Sequence, residues 1–265
     1  MRPKTRKLRN LTIRYYGGFV DPGELTKELR EADVLPHLGR GGIKIVSVGG
    51  KHLVSRKYLH GGLLRLITQD RFFSDKRCSA EAEALNYLRG KGFPVVTPFA
   101  TVAEKRIVAY RLTILTILEQ GSVNLLDYLN TAGHSDRISI IGGFVHLFCK
   151  MQALGVYHPD LHIANVLVAS TGKLVFLDFD RAQRRALSRR DREAMLWRLW
   201  RHIVKMEHLG RLKLDDKEKN HLLKTYSRVS GIDAEAVLGR RARRESYLHK
   251  VGRIAESLLY QGGRK

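Results

Sequence analysis

The spacing of apolar residues changes near Glu119, and that change limits the folds open to this chain. Before it, short β-branched runs are broken by glycine: "IKIVSV" and "KHLVSRKYL" flank Gly49 and Gly50, which predicts a hairpin. "SAEAEALNYLRG" predicts a helix over 79–90, capped by Ser79 and ended by Gly90, and "FPVVTPFATV" and "RIVAYRLTILTIL" predict two further strands. Beyond Glu119 the period becomes helical. "NLLDYLN" opens a short helix, "RISIIGGFVHLFCKMQALG" a buried one, and a long helix follows Ser188 with Leu196, Leu199, Trp200, Ile203 and Val204 on one stripe. Trp197 and Trp200 read as core in preference to anchors at a membrane interface, "GKLVFLDFD" interrupts as a strand, and helical text continues to about Tyr260. The expected architecture is α+β and bilobal: an antiparallel sheet with one helix over residues 1–118, then a mainly helical lobe over residues 119–265.

Two cysteines, Cys78 and Cys149, are too few for a disulfide framework and lack metal-ligand spacing. No apolar run approaches the ~18 residues that cross a bilayer, and no hydrophobic signal core follows the basic start, so a cytosolic protein is expected. The charge narrows the partners. Lys and Arg number 48 against 26 Asp and Glu, a net +22, and residues 181–265 alone carry 23 basic against 10 acidic side chains. Such a surface calls for nucleic acid, an anionic membrane face or a polyanionic substrate, and composition alone does not choose among them.

The stretch "GVYHPDLHIANVLV", 155–168, concentrates chemistry. Asp160 and Asn165 stand five residues apart on one loop. There an aspartate can take or orient a hydroxyl proton, and an asparagine can offer its amide oxygen to Mg²⁺. Thirteen residues on, Asp178 ends the apolar run of "FLDFD", a second hard oxygen ligand suited to a cation that also touches phosphates. Alone, each is an ordinary turn or strand-end residue. In this order they form the protein-kinase-like pattern H-x-D-L-x-x-x-N followed by D-F-x. Such a site needs a glycine turn over the phosphates, and "LGRGG" supplies Gly39, Gly41 and Gly42 just before "IKIVSV". It also needs a basic side chain on the third strand paired with a glutamate on the next helix. Arg56 and Lys57 compete for the first role, because alternation along a strand turns only one of them toward the nucleotide, and Glu81 and Glu83 are the helix candidates for the second.

Over roughly residues 36–183 the chain resembles the lipopolysaccharide core kinases, and among them most those acting on 3-deoxy-D-manno-octulosonic acid (Kdo). The marks are "GRGG", "RKYLHGGLLRLITQDRFF", "LRGKGFPVVTPFA", "YHPDLHIANVLV" and "LDFDRAQ". The resemblance implies a protein-kinase-like fold using ATP and Mg²⁺, with Asp160 as catalytic base and Asn165 and Asp178 as metal ligands. It further implies Arg56 as the third-strand cation with Lys57 still open, Glu81 as the helix glutamate, and a hinge near Ile117 to Glu119 that reads adenine through its backbone. Two positions depart from the family: Gln152, where a histidine is usual, and His162, where asparagine is frequent.

The implied function is phosphorylation of a sugar hydroxyl, Kdo with heptose as a possible competitor, on lipid A-linked core oligosaccharide. Such an enzyme would be peripheral on the inner face of the bacterial inner membrane, with nucleic acid an improbable partner. Two other readings fit the same composition: a kinase of another substrate whose basic surface meets RNA, and a pseudokinase recruited to a membrane. Asp160, Asn165 and Asp178 together speak against the last, since a scaffold has no physical need of all three.

Overall fold

The computed structural model describes residues 3–35, 42–60 and 70–244. The chain divides into two compact units, Met1–Tyr128 with Ala164–Arg184, and Leu129–Ile163 with Arg185–Lys265. The expected division at 118/119 is one cut in sequence, whereas these units interleave, so the segment bearing Asn165 and Asp178 belongs with the strand-rich first unit.

That unit is built on a seven-stranded antiparallel sheet of β1 (Lys4–Leu8), β2 (Leu11–Tyr15), β3 (Val34–Leu35), β4 (Ile43–Val48), β5 (Lys51–Lys57), β6 (Pro98–Lys105) and β7 (Tyr110–Ile117). The strand order is β1-β2-β6-β7-β5-β4-β3. Gly49 and Gly50 form the expected hairpin: Val48 pairs with Lys51, and both glycines take the left-handed φ of +55° and +69° that a two-residue turn requires. One core cluster brings Ile13, Tyr15, Val46, Val48, Leu53, Ala100, Val102 and Leu115 together with Leu25 of α1 (Pro22–Glu31). Asp21 caps α1 by accepting the Glu24 N–H at 2.9 Å, and Pro22 follows at its first turn. The first unit thus carries a helix beyond the one expected.

A second helix, α2 (Lys76–Gly90), packs on β6 and β7 and buries Glu81, Ala82, Leu85 and Leu88. It starts three residues before the expected Ser79. Asp75 stands at its cap but makes no capping bond, and its carboxylate holds Arg14 at 2.6 Å instead. A small sheet of β8 (Val123–Asn124), β10 (Val166–Val168) and β11 (Leu174–Phe176) completes the unit. Phe176 bridges Val95 and sets its ring 5.1 Å from Phe93, fixing where the chain enters "LDFD".

After α3 (Leu125–Thr131), the second unit is helical: α4 (His134–Ala153), α5 (Arg189–His208), α6 (Asp216–Ser230) and helical residues 234–244, with the two-residue strand β9 (Val156–Tyr157). Ser188, from which the long helix was expected, caps α5 in a reciprocal box with Asp191, and Asp215 does the same for α6 with Glu218. Gly231 closes α6 at φ +69°. Leu196, Leu199 and Ile203 are buried, as the stripe required; Trp197 and Trp200 are half-buried, and Val204 lies exposed outside it. Among the described residues no helix is long and apolar enough to cross a membrane.

Candidate active site

The centre of the first unit's chemistry is a carboxylate 2% exposed, that of Glu81. Burying a carboxylate is costly unless donors surround it, and three converge here. Arg56 donates to both oxygens at 2.6 and 2.7 Å, the Tyr58 hydroxyl donates a short hydrogen bond to Oε2, and the backbone N–H of Phe179 donates to Oε1 at 3.2 Å. Arg56 near the end of β5 and Tyr58 just beyond it point to the same side because they are two residues apart. Lys57 falls on the other side and is exposed, as is Glu83 on α2. The pairing left open by the sequence is therefore Arg56 with Glu81.

Burial pushes the Glu81 carboxyl up from its ordinary value, and Arg56 opposes that rise. Burial works against the Arg56 charge, but Glu81 and Asp178 outweigh it and hold the guanidinium more firmly protonated than usual. The Tyr58 hydroxyl, desolvated and beside Glu81, is raised well above its ordinary range.

Asp178 lies 3.3 Å from Arg56 through Oδ1, an oxygen shielded from solvent that accepts no hydrogen bond. Its φ of +56° is left-handed, a conformation non-glycine residues hold only under local constraint. The constraint is visible on both sides: Phe179 is tied to Glu81, and Asp180 is held by Arg77, which donates Nε to Oδ1 at 2.6 Å and a second, shorter bond to Oδ2. Arg77 also lies over Phe72 at 5.0 Å and Tyr58 at 5.6 Å. The Asn165 carbonyl accepts the Leu177 N–H at 2.8 Å, joining the two candidate ligand segments through the backbone. A shielded carboxylate oxygen without a hydrogen-bond donor, on a segment tied to the one carrying an asparagine, is a donor set that fits a hard divalent cation.

Asp160 sits in the second unit. Its loop alternates, with His158, Leu161 and Ile163 buried and Asp160 exposed. The buried His158 accepts the Asp160 N–H through Nδ1 at 3.3 Å, so the histidine shapes the turn that presents the carboxylate. Gln152 is buried and accepts from the Tyr226 hydroxyl at 3.3 Å. His162 stacks on His202 of α5, ring centroids 4.2 Å apart and planes within 7°. Burial first, then His162, Lys205 and Arg211, depress His202 to about 4, which keeps it neutral near pH 7.

Of the expected phosphate-covering glycines, Gly39 and Gly41 lie outside the described residues. Gly42 has φ +75°, and a β-carbon there would collide with Val34 Cγ1. At the expected hinge, the N–H groups of Ile117 and Leu118 already donate to Thr97 and His52 at 2.9 Å, and the Glu119 carbonyl accepts from Ser122 at 2.7 Å. An adenine edge would have to read the remaining backbone groups. The sequence reading missed Tyr58 and the Arg77–Asp180 pair; the signal for the latter was the third position of "DFD".

An antiparallel sheet carrying an Arg–Glu pair tied to an aspartate turn, and a helical unit carrying an H-x-D loop, are the parts of a protein-kinase-like phosphotransferase. The profile of the Lipopolysaccharide kinase (Kdo/WaaP) family matches residues 27–226, and the chain belongs to that family. It is similar to the 3-deoxy-D-manno-octulosonic acid kinase of Xanthomonas euvesicatoria pv. vesicatoria (strain 85-10), 29% identical over 187 residues, 69% of this chain and 73% of the relative. It is also similar to the enzymes of that name from Xanthomonas oryzae pv. oryzae (strain PXO99A), 28% over 197 residues, 73% and 78% of the two chains, and Stenotrophomonas maltophilia (strain K279a), 30% over 187 residues, 69% and 73%.

Proposed function

We propose that this kinase transfers the γ-phosphate of ATP to a hydroxyl of Kdo in the inner core of lipid A-linked oligosaccharide, working peripherally at the inner face of a bacterial inner membrane. The sugar comes from the named activity of the relatives, which align over more than two thirds of both chains. The observation that carries the phosphoryl-transfer chemistry is the Glu81 hub, because it fixes Arg56 beside Asp178 and holds the Asp178 turn through Phe179.

In this reading Asp160 accepts the proton of the attacking hydroxyl, an exposed carboxylate whose turn His158 shapes. Arg56, made rigid by Glu81, neutralises phosphate charge on the nucleotide, and Gly42 keeps the left-handed backbone beside Val34 that a β-carbon would block. Asn165 and Asp178 would hold Mg²⁺, which when bound supplies neutralisation of the β- and γ-phosphate oxygens. Phosphoryl transfer depends chiefly on such positioning and charge, which is what these residues offer.

Incubation of the purified chain with ATP, Mg²⁺ and Kdo-bearing lipid A, read by mass spectrometry of the lipid, tests the reading. One added phosphate on the Kdo residue is expected, and none with Asp160→Ala of unchanged circular dichroism. Transfer to protein or RNA-bound substrates with none to the glycolipid, or full turnover in the variant, would sink it.

A further inference from the structure

Three of the most exposed apolar side chains among the described residues sit at one end of the first unit's sheet. Ile107 is 98% exposed, Val108 79% and Phe73 85%. Ile107 and Val108 form the tip of the β6–β7 turn, closed by the Arg106 N–H donating to the Ala109 carbonyl at 2.7 Å. Phe73 comes next to them because its neighbour Phe72 pairs reciprocally with Tyr110, at 2.9 and 2.7 Å, on the edge of β7 away from β6. The β1–β2 turn adjoins on the other side: Asn10 accepts the Lys105 N–H at 2.8 Å and donates to the Lys105 carbonyl at 3.2 Å.

Two β-branched residues at a hairpin tip serve neither turn geometry, which favours glycine, asparagine and aspartate, nor burial. Adjacent apolar side chains left this exposed mark a surface that meets something. The surroundings say what. Glu104 and Asp70 each hold one arginine, Arg106 at 2.9 Å and Arg111 at 2.8 Å, and exposed Arg9, Arg71 and Lys105 add positive charge around the tip. Apolar side chains inside a rim of arginine and lysine match the boundary of an anionic bilayer, where acyl chains lie beneath phosphate headgroups.

We infer that the β6–β7 tip with Phe73 is the element by which this protein docks on an anionic lipid surface: Ile107, Val108 and Phe73 enter the headgroup boundary, and Arg9, Arg71 and Lys105 meet lipid phosphates. The inference rests on the peripheral-membrane reading above and adds where contact is made. It concerns a part of the chain remote in sequence from the basic stretch 181–265, so the two sources of attraction separate by mutation.

The test is sedimentation of the full chain with vesicles of phosphatidylcholine alone or mixed with phosphatidylglycerol. Wild type is expected to prefer the anionic vesicles. The variant Phe73→Ser/Ile107→Ser/Val108→Ser should bind them on the order of tenfold or more weakly, with phosphate transfer to a water-soluble deacylated acceptor unchanged. Arg9→Gln, Arg71→Gln and Lys105→Gln should each weaken binding by roughly fivefold. Wild-type binding by the folded triple variant overturns the docking site while sparing the membrane reading; no preference of the wild type for anionic vesicles sinks that reading itself. Loss in the triple variant of a self-association present in the wild type would make the tip an interface between copies and overturn the inference. Independently of the triple variant's folding, Ile107→Trp should shift its emission to the blue relative to wild type on anionic vesicles only, and an unshifted spectrum counts against the site.

Discussion

Arg77 and Asp180, 103 residues apart in sequence, are joined by two parallel hydrogen bonds from one guanidinium edge to one carboxylate. The pair fastens the start of α2 to the residue two places after Asp178, so it closes the turn whose other end Glu81 holds through Phe179. Asp180→Ala should lower stability by about 1–3 kcal/mol and reduce turnover more than nucleotide affinity, since Asp178 remains present but less constrained. Thermal denaturation together with a kcat and KM split checks this. A variant with unaltered kcat would leave the pair a purely structural role.

The convergence of three carboxylate oxygens on one nitrogen of Arg56, Nη2, sets a sharper expectation. Arg56→Lys keeps the charge but ends short of the position from which Arg56 Nη2 reaches both Glu81 oxygens and lies 3.3 Å from Asp178. Its kcat/KM should drop at least about tenfold, whereas Lys57→Ala, on the exposed side of β5, should stay within about twofold of wild type. Glu81→Gln leaves a partly buried arginine short of its counter-charge and should cost about 3 kcal/mol or more in urea denaturation.

Asp160 is exposed, so replacing it should spare the fold. Asp160→Asn is expected to lower kcat by roughly 10²–10⁴-fold with KM for ATP nearly unchanged, the signature of a missing proton acceptor. Steady-state kinetics at several pH values read this directly, and a loss confined to KM would assign Asp160 to binding.

His202 predicts an acid response. Its folded value of about 4 lies below the ordinary 6.5, so between those limits the unfolded chain binds the proton and the folded one does not. His202 therefore contributes to a stability decline as pH falls from 6.5 toward 4. His202→Phe, which keeps a ring against His162, should flatten that part of the curve of melting temperature against pH. An unchanged slope would remove His202 from the account.

How much of this was legible in the sequence depends on whether a residue's partner is local. The Asp160 loop could be read because Asp160, Asn165 and Asp178 stand close together in one order, and the start of α5 because Ser188 and its capping partner are three residues apart. Arg56 against Lys57 could not be decided, since two adjacent cations differ only in which face of β5 they occupy. The β1–β2 hairpin escaped notice because all five residues of β1 are exposed, although Leu11, Ile13 and Tyr15 alternate in β2. The start of α2 was misplaced because Asp75, its N-cap residue, is drawn to Arg14, a partner 61 residues away. Arg77 with Asp180 belongs to the same class.

Glu81 accepts from a strand, from the tyrosine that follows that strand, and from the backbone of the aspartate turn, all through two oxygens of one side chain. No one of these can leave without stranding charge or a polar group meant for the others. The first unit is thereby biased toward an all-or-none arrangement, and drift at any of the three donors would be felt by the remaining two before it was felt by the substrate.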